Sequence, residues 1–100
     1  MQKKLYVLLR KEFDARYNTA QGVHAASEFA IEFPDLFKDW GNKTTVVLGV
    51  RFPRGLRKWM EILKARGKLY TVFYEDDQEG QPTGIACYDT GEIFKDLPLL

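Results

Sequence analysis

Gln21 and His24 stand three residues apart in Ala20-Gln21-Gly22-Val23-His24-Ala25-Ala26. On a helix that spacing puts both side chains on one face. An imidazole can orient a water or take up a proton near neutral pH. The acidic run Asp76-Asp77-Gln78-Glu79 offers carboxylates for the same work or for fixing the imidazole, and Thr83 offers a hydroxyl. Each of these residues also has a purely structural reading. Gln21 follows Asn18 by three positions, which is the spacing of a capping box at a helix start. A histidine beside an apolar stripe serves equally as a packing residue, and Thr83, after Pro82, can simply open a strand. His24 is the only histidine and Cys87 the only cysteine. No Cys/His metal set and no internal disulfide can therefore form, and Cys87 reads as a buried structural thiol.

A second kind of chemistry lies in the charge distribution. The formal net charge of the 100 residues is only +1, which excludes indiscriminate coating of nucleic acid. The sum conceals a division. Residues 51–68 hold seven Lys and Arg against Glu61, a net +6, and residues 69–100 hold Lys95 against seven Asp and Glu, a net −6. Charge runs are usually solvated surface. Arg54, Arg57 and Lys58, within about one helical turn, can also bind phosphate, since guanidinium groups bind it bidentately.

The elements that must position these residues follow from apolar patterning. Leu5 to Leu9 is a continuous apolar run, as in a strand buried on both faces. Asn18 as N-cap predicts a helix from about Thr19 to Phe33, packed through Ala20, Val23, Ala26, Phe29, Ala30 and Phe33. Pro34 opens a second, short helix carrying Leu36, Phe37 and Trp40 and ending at Gly41. Thr44 to Val50 is a β-branched strand. Leu56, Trp59, Met60 and Leu63 recur at helical spacing between Arg54 and Arg66, with Gly67 where a C-cap belongs. Trp59 and Met60 read as packing residues. Tyr70 to Tyr74 and Gly84 to Tyr88 are further strands. The order β-α-α-β-α-β-β predicts one α/β domain with helices over a small mixed sheet. A ferredoxin-like plait is the structural alternative. The N-terminal apolar run is too short for a signal-peptide core or a membrane span. The expectation is a cytoplasmic protein without a membrane partner.

Ala20 to Ala26 resembles the A-Q-x-x-H-A-A signature on the first helix of the type II peptidyl-tRNA hydrolase family. Leu5 to Glu12 (LYVLLRKE) resembles that family's first strand and the turn that ends it. Asp76 to Ala86 (DDQEGQPTGIA) resembles its Asp-Ala-Gly-x-Thr-x-Ile-Ala segment, with Thr83, Ile85 and Ala86 matching the second half. Phe94 to Leu100 looks like the tail of compact relatives. The departures are specific. Tyr17 stands where the family has the Lys of a Gly-Lys pair, and Glu79 stands where it has its Asp, with Asp76 and Asp77 displaced beside it.

The resemblance implies a single three-layer domain over residues 1–100, a mixed four-stranded sheet with helices on both faces. It implies hydrolysis of the ester joining peptide to tRNA, with no metal and no organic cofactor. His24, Asp76 and Thr83 are then the expected catalytic residues: a base or water-orienting group, its carboxylate, and a donor to the substrate carbonyl. Gln21, Arg16, Arg54, Arg57 and Lys58 are the expected substrate-binding residues, the cations holding tRNA phosphates. The alternative is an inactive homologue that binds tRNA or another phosphate ligand. Oligomeric state, monomer or homodimer, is left open by the sequence.

Overall fold

The structure is a computed structural model and describes residues 2–100. Four strands, β1 (Lys4–Arg10), β2 (Thr45–Val50), β3 (Tyr70–Tyr74) and β4 (Pro82–Asp89), form one sheet in the order β2-β1-β4-β3. β1 and β2 run parallel, whereas β4 is antiparallel to both β1 and β3. The parallel pair needs a long crossover, supplied by α1 (Ala15–Glu32) and α2 (Pro34–Asp39). α3 (Phe52–Ala65) links β2 to β3 across the opposite face. The protein is thus an α/β domain with a mixed four-stranded sheet and helices on both faces. A ferredoxin-like plait, with both helices on one face, does not form.

β1 shows why the sheet is doubly covered. Its alternate residues Tyr6 and Leu8 join Leu48, Val50, Ile85 and Cys87 beneath Leu56 and Leu63 of α3. Leu5, Val7 and Leu9 join Ala86 beneath Ala25 and Phe29 of α1. A period of two with both sets apolar is the pattern of a strand buried on both faces. Trp59 packs on Phe94 with ring centroids 5.3 Å apart, as its core spacing predicts. Gly67 ends α3 with φ of 67°, a left-handed conformation that glycine adopts without a Cβ penalty. Residues 98–100 pair with the outer edge of β2, through Gly49 N–H to Pro98 O and Leu100 N–H to Val47 O, both 3.0 Å. That pairing covers an edge otherwise open to association.

The start of α1 differs from the sequence expectation. The helix begins four residues earlier, at Ala15, and its N-cap is Asp14, whose side chain accepts from Tyr17 N–H at 2.8 Å. Asn18 and Gln21 are not a capping box. Both are buried within the helix, and Asn18 Nδ2 donates to Arg10 O at 2.8 Å. The packed face is Asn18, Gln21, Ala25 and Phe29. Of the expected stripe, Ala20 and Val23 face solvent, while Ala26 and Ala30 are half-buried. Two buried polar side chains carry the helical period here, and hydropathy does not count them. Among the described residues no helix is long and apolar enough to cross a membrane.

Candidate functional site

Glu75, just past the end of β3, is the carboxylate that meets the A-Q-x-x-H helix. Thr71, Phe73 and Glu75 alternate along the strand and its exit, so all three face α1. Thr71 Oγ1 donates to Glu32 Oε1 at 2.9 Å. The Phe73 ring stacks on His24 with centroids 4.5 Å apart. Glu75 Oε2 accepts from Gln21 Nε2 at 3.1 Å and lies 3.8 Å from His24 Nε2. The imidazole is therefore bounded by an aromatic face and a carboxylate, with its side chain 46% exposed.

The other end of Gln21 is tied down from β4. Thr83 Oγ1 donates to Gln21 Oε1 at 2.6 Å and lies 3.3 Å from Phe73 O. A register shift makes this contact possible. Phe73 pairs with Gly84 and Tyr74 with Pro82, so Thr83 is the extra residue of a β-bulge. In a regular strand neighbours point to opposite faces, yet Thr83 and Gly84 both face α1. A Cβ on Gly84 would lie 3.3 Å from Ala25 Cβ and 3.2 Å from Leu9 Cδ2. Bulges commonly re-aim a side chain beside a functional site. Thr83 Oγ1, Gln21, Glu75 and His24 thus form one line running from the buried sheet to the surface.

Burial assigns different parts to the members of that line. Thr83 is 0% and Gln21 1% exposed. The acceptors within reach of the Thr83 hydroxyl, Gln21 Oε1 and Phe73 O, both belong to the protein, and the hydroxyl is enclosed away from the surface where His24 lies. Asp76 and Asp77 begin a 3-10 turn that follows Glu75. Asp76 is exposed, and among the described residues its side chain makes no hydrogen bond or ion pair with His24, Gln21 or Thr83. The chain turns away after Glu75, which is why Glu75 and not Asp76 reaches the imidazole. Asp77 accepts from the Tyr17 hydroxyl at 2.7 Å. Burial and the Asp77 carboxylate push the Tyr17 phenol above its ordinary pKa. Glu79 occupies a left-handed position at the end of the turn. Among the described residues no group of three or more His, Cys, Asp or Glu is placed to hold a metal ion.

The expected cations do not gather around His24. Arg16 is exposed in the first turn of α1, two turns before His24. Arg54, Arg57 and Lys58 lie on α3, across the sheet. Arg54 sits over the Phe52 ring, 5.4 Å from its centroid. Arg57 donates to the Gln81 side chain, in the loop leading into Thr83. Lys58 shares a groove of about 290 Å³ with Lys11, Arg51, Gly55 and Pro98. The basic groove and the His24–Glu75 pair therefore occupy opposite faces of the sheet. Lys11 and Arg51 lie at the ends of β1 and β2, where parallel strands point toward a shared crevice. The strand ends were the signal in the sequence for both.

A solved structure of the protein of unknown function Atu0240 from Agrobacterium tumefaciens is similar to this chain, with a TM-score of 0.72. The match covers 100% of this chain and 98% of that one, at 13% sequence identity. That likeness establishes a shared α/β architecture. No family model matches the chain, and no curated protein does.

Proposed function

We propose that this protein hydrolyses a carboxylic ester of the peptidyl-tRNA kind, with the His24–Glu75 pair activating water. The observation that carries this reading is the line Thr83–Gln21–Glu75–His24, which ends in an exposed imidazole facing a carboxylate at 3.8 Å. Its support beyond geometry is the resemblance of Ala20 to Ala26 to the A-Q-x-x-H-A-A signature. Glu75 favours the tautomer with hydrogen on Nε2, leaving Nδ1 to accept a proton. Water attacks the ester carbonyl as Nδ1 takes its proton. The tetrahedral oxyanion collapses, the bond to the ribose 3′-oxygen breaks, and the imidazolium returns the proton to that oxygen. The products are a free peptide acid and tRNA. Gln21 and Thr83 hold Glu75 and touch no reacting atom. Gaps longer than a hydrogen bond, such as this one, commonly tighten when substrate is bound.

A second reading is a phosphate-binding homologue without turnover. It is favoured by Lys11, Arg51 and Lys58 lining one groove on the far side of the sheet from His24. One experiment separates the two. The folded protein is incubated with N-acetyl-aminoacyl-tRNA at low salt, and ester loss and tRNA binding are followed together. Ester loss above background supports hydrolysis. Salt-sensitive binding without ester loss supports the second reading. Neither binding nor ester loss rejects both.

A further inference from the structure

β1 and β2 are parallel neighbours whose chains leave the sheet in opposite directions. β1 runs on into α1 over one face, and β2 runs on into α3 over the other. Such a divergence opens a crevice beyond the carboxyl ends of the two strands, where open α/β sheets bind their ligands. The groove of about 290 Å³ lies at this point. Two glycines shape it. The Lys11 stem lies on Gly49, where a Cβ would come within 2.6 Å of Lys11 Cγ and 3.0 Å of its Cδ. Lys11 is thereby held along the end of β2. Gly55 lets the start of α3 settle on Val50, whose Cβ would lie 3.5 Å from an added one. Trp59, Leu97 and Pro98 complete the wall.

The groove carries one sign of charge. Lys11, Arg51 and Lys58 line it, and no carboxylate does. Among the described residues none of the three forms an ion pair. Glu12, next to Lys11 in sequence, is engaged by the Arg10 guanidinium and by Phe52 N–H at 2.9 Å. α3 starts at the groove with no side-chain cap and no acidic residue in its first turn, so the positive end of the helix adds to the same potential. Like charges lining a concave site repel one another and attract an anion. The three share one small groove and form no stripe of the kind that tracks a nucleic-acid backbone. A phosphate monoester carries about two negative charges at neutral pH, against one for each diester of a chain, and so balances them better. The volume, just below the roughly 300–1,000 Å³ of small-molecule sites, leaves room for a compact organic group against Trp59 and Pro98.

We infer that this crevice binds a small phosphate monoester, with Lys11, Arg51 and Lys58 on its phosphate. Such a site presupposes the phosphate affinity of the second reading and requires no turnover at His24. Ribose 5-phosphate is the probe, with ribose and an RNA oligonucleotide lacking terminal phosphates as comparisons. Amide spectra of the 15N-labelled protein are recorded while each is titrated. The expected result is saturable shifts at Lys11, Gly49, Arg51, Gly55 and the Trp59 indole, no response to ribose, and weaker binding of the oligonucleotide. Lys58→Glu should weaken ribose 5-phosphate by about tenfold or more. Lys64→Glu, further along the same helix and outside the groove, should change it by no more than about twofold. Both side chains are exposed, and Arg51→Ala serves if Lys58→Glu does not fold. No saturable shift, an equal response to ribose, shifts centred on His24, oligonucleotide binding as tight or tighter, or equal losses in the two charge-reversed proteins would each overturn the inference. Salt-sensitive tRNA binding by a protein that ignores ribose 5-phosphate would do so while leaving the second reading intact, whereas indifference to both would remove the two together.

Discussion

Replacing Thr83 by valine removes one hydroxyl and keeps the shape of the side chain. In the native protein that hydroxyl donates to Gln21 Oε1 at 2.6 Å, and both residues are fully enclosed. Thr83→Val leaves Gln21 Oε1 buried without a donor, which costs about 1–3 kcal/mol. In urea, with a slope of about 1–3 kcal/mol per molar for a small domain, the midpoint should fall by on the order of 1 M. Thr83→Ser keeps the donor and loses one methyl, so its loss is about 0.8 kcal/mol. The decisive comparison is a double-mutant cycle with Gln21→Leu. Once the amide is gone, Thr83→Val strands nothing, and the coupling should be about 1–2 kcal/mol. An unmoved midpoint in Thr83→Val, or strict additivity in the cycle, would refute the positioning role of the bulge.

Three further predictions concern the rest of the framework. Burial alone would raise the Asp89 carboxyl, but the Lys68 ammonium at 2.8 Å and the Gly91 N–H hold its pKa below the ordinary value. A carboxyl lowered on folding contributes stability that is full above its unfolded pKa, near 3.8, and lost as pH falls through the folded one. Chemical denaturation across acid pH should therefore show a slope that Asp89→Asn reduces, and identical slopes would discount the ion pair. Burial, with Asp89 nearby, pushes the Cys87 thiol up to about 12. It should resist iodoacetamide at pH 8 in the native protein and react promptly in denaturant, so rapid native labelling would contradict its enclosure. Gly91 has φ of 97°, and any Cβ there would collide with the Tyr6 ring. Alanine for glycine stabilises by up to about 1 kcal/mol where the backbone allows it, but Gly91→Ala, at positive φ and against Tyr6, should destabilise by more than that, and a melting temperature equal to the parent's would show the turn to be adaptable.

The strands were legible because β-branched and apolar residues cluster in short runs, as in Thr45 to Val50. α3 was legible because Leu56, Trp59 and Leu63 keep strict helical spacing and Gly67 ends it. The start and the packed face of α1 were not. Asn18 and Gln21 have side chains that cap helices, and only tertiary partners, Arg10 O for one and Thr83 for the other, show that they are buried. Gln21 and His24 were visible as a pair from spacing alone. Glu75 was hidden at the head of an acidic run whose members look alike in composition. The signal that distinguishes it is the alternation Thr71, Phe73, Glu75, which places it on the face of the sheet that α1 covers. The bulge at Thr83 left no mark in the local pattern, since Pro82-Thr83-Gly84 reads as an ordinary strand entry.

If His24 and Glu75 act together on an ester, rates of N-acetyl-aminoacyl-tRNA hydrolysis will show it. The comparison is between the parent protein, His24→Ala, Glu75→Gln and Asp76→Asn, each first shown to be folded. The expected result is turnover by the parent, losses of about 10²–10⁴-fold in His24→Ala and Glu75→Gln, and a change of no more than a few-fold in Asp76→Asn. Absence of turnover by the folded parent would contradict it. So would full activity in Glu75→Gln alongside a large loss in Asp76→Asn.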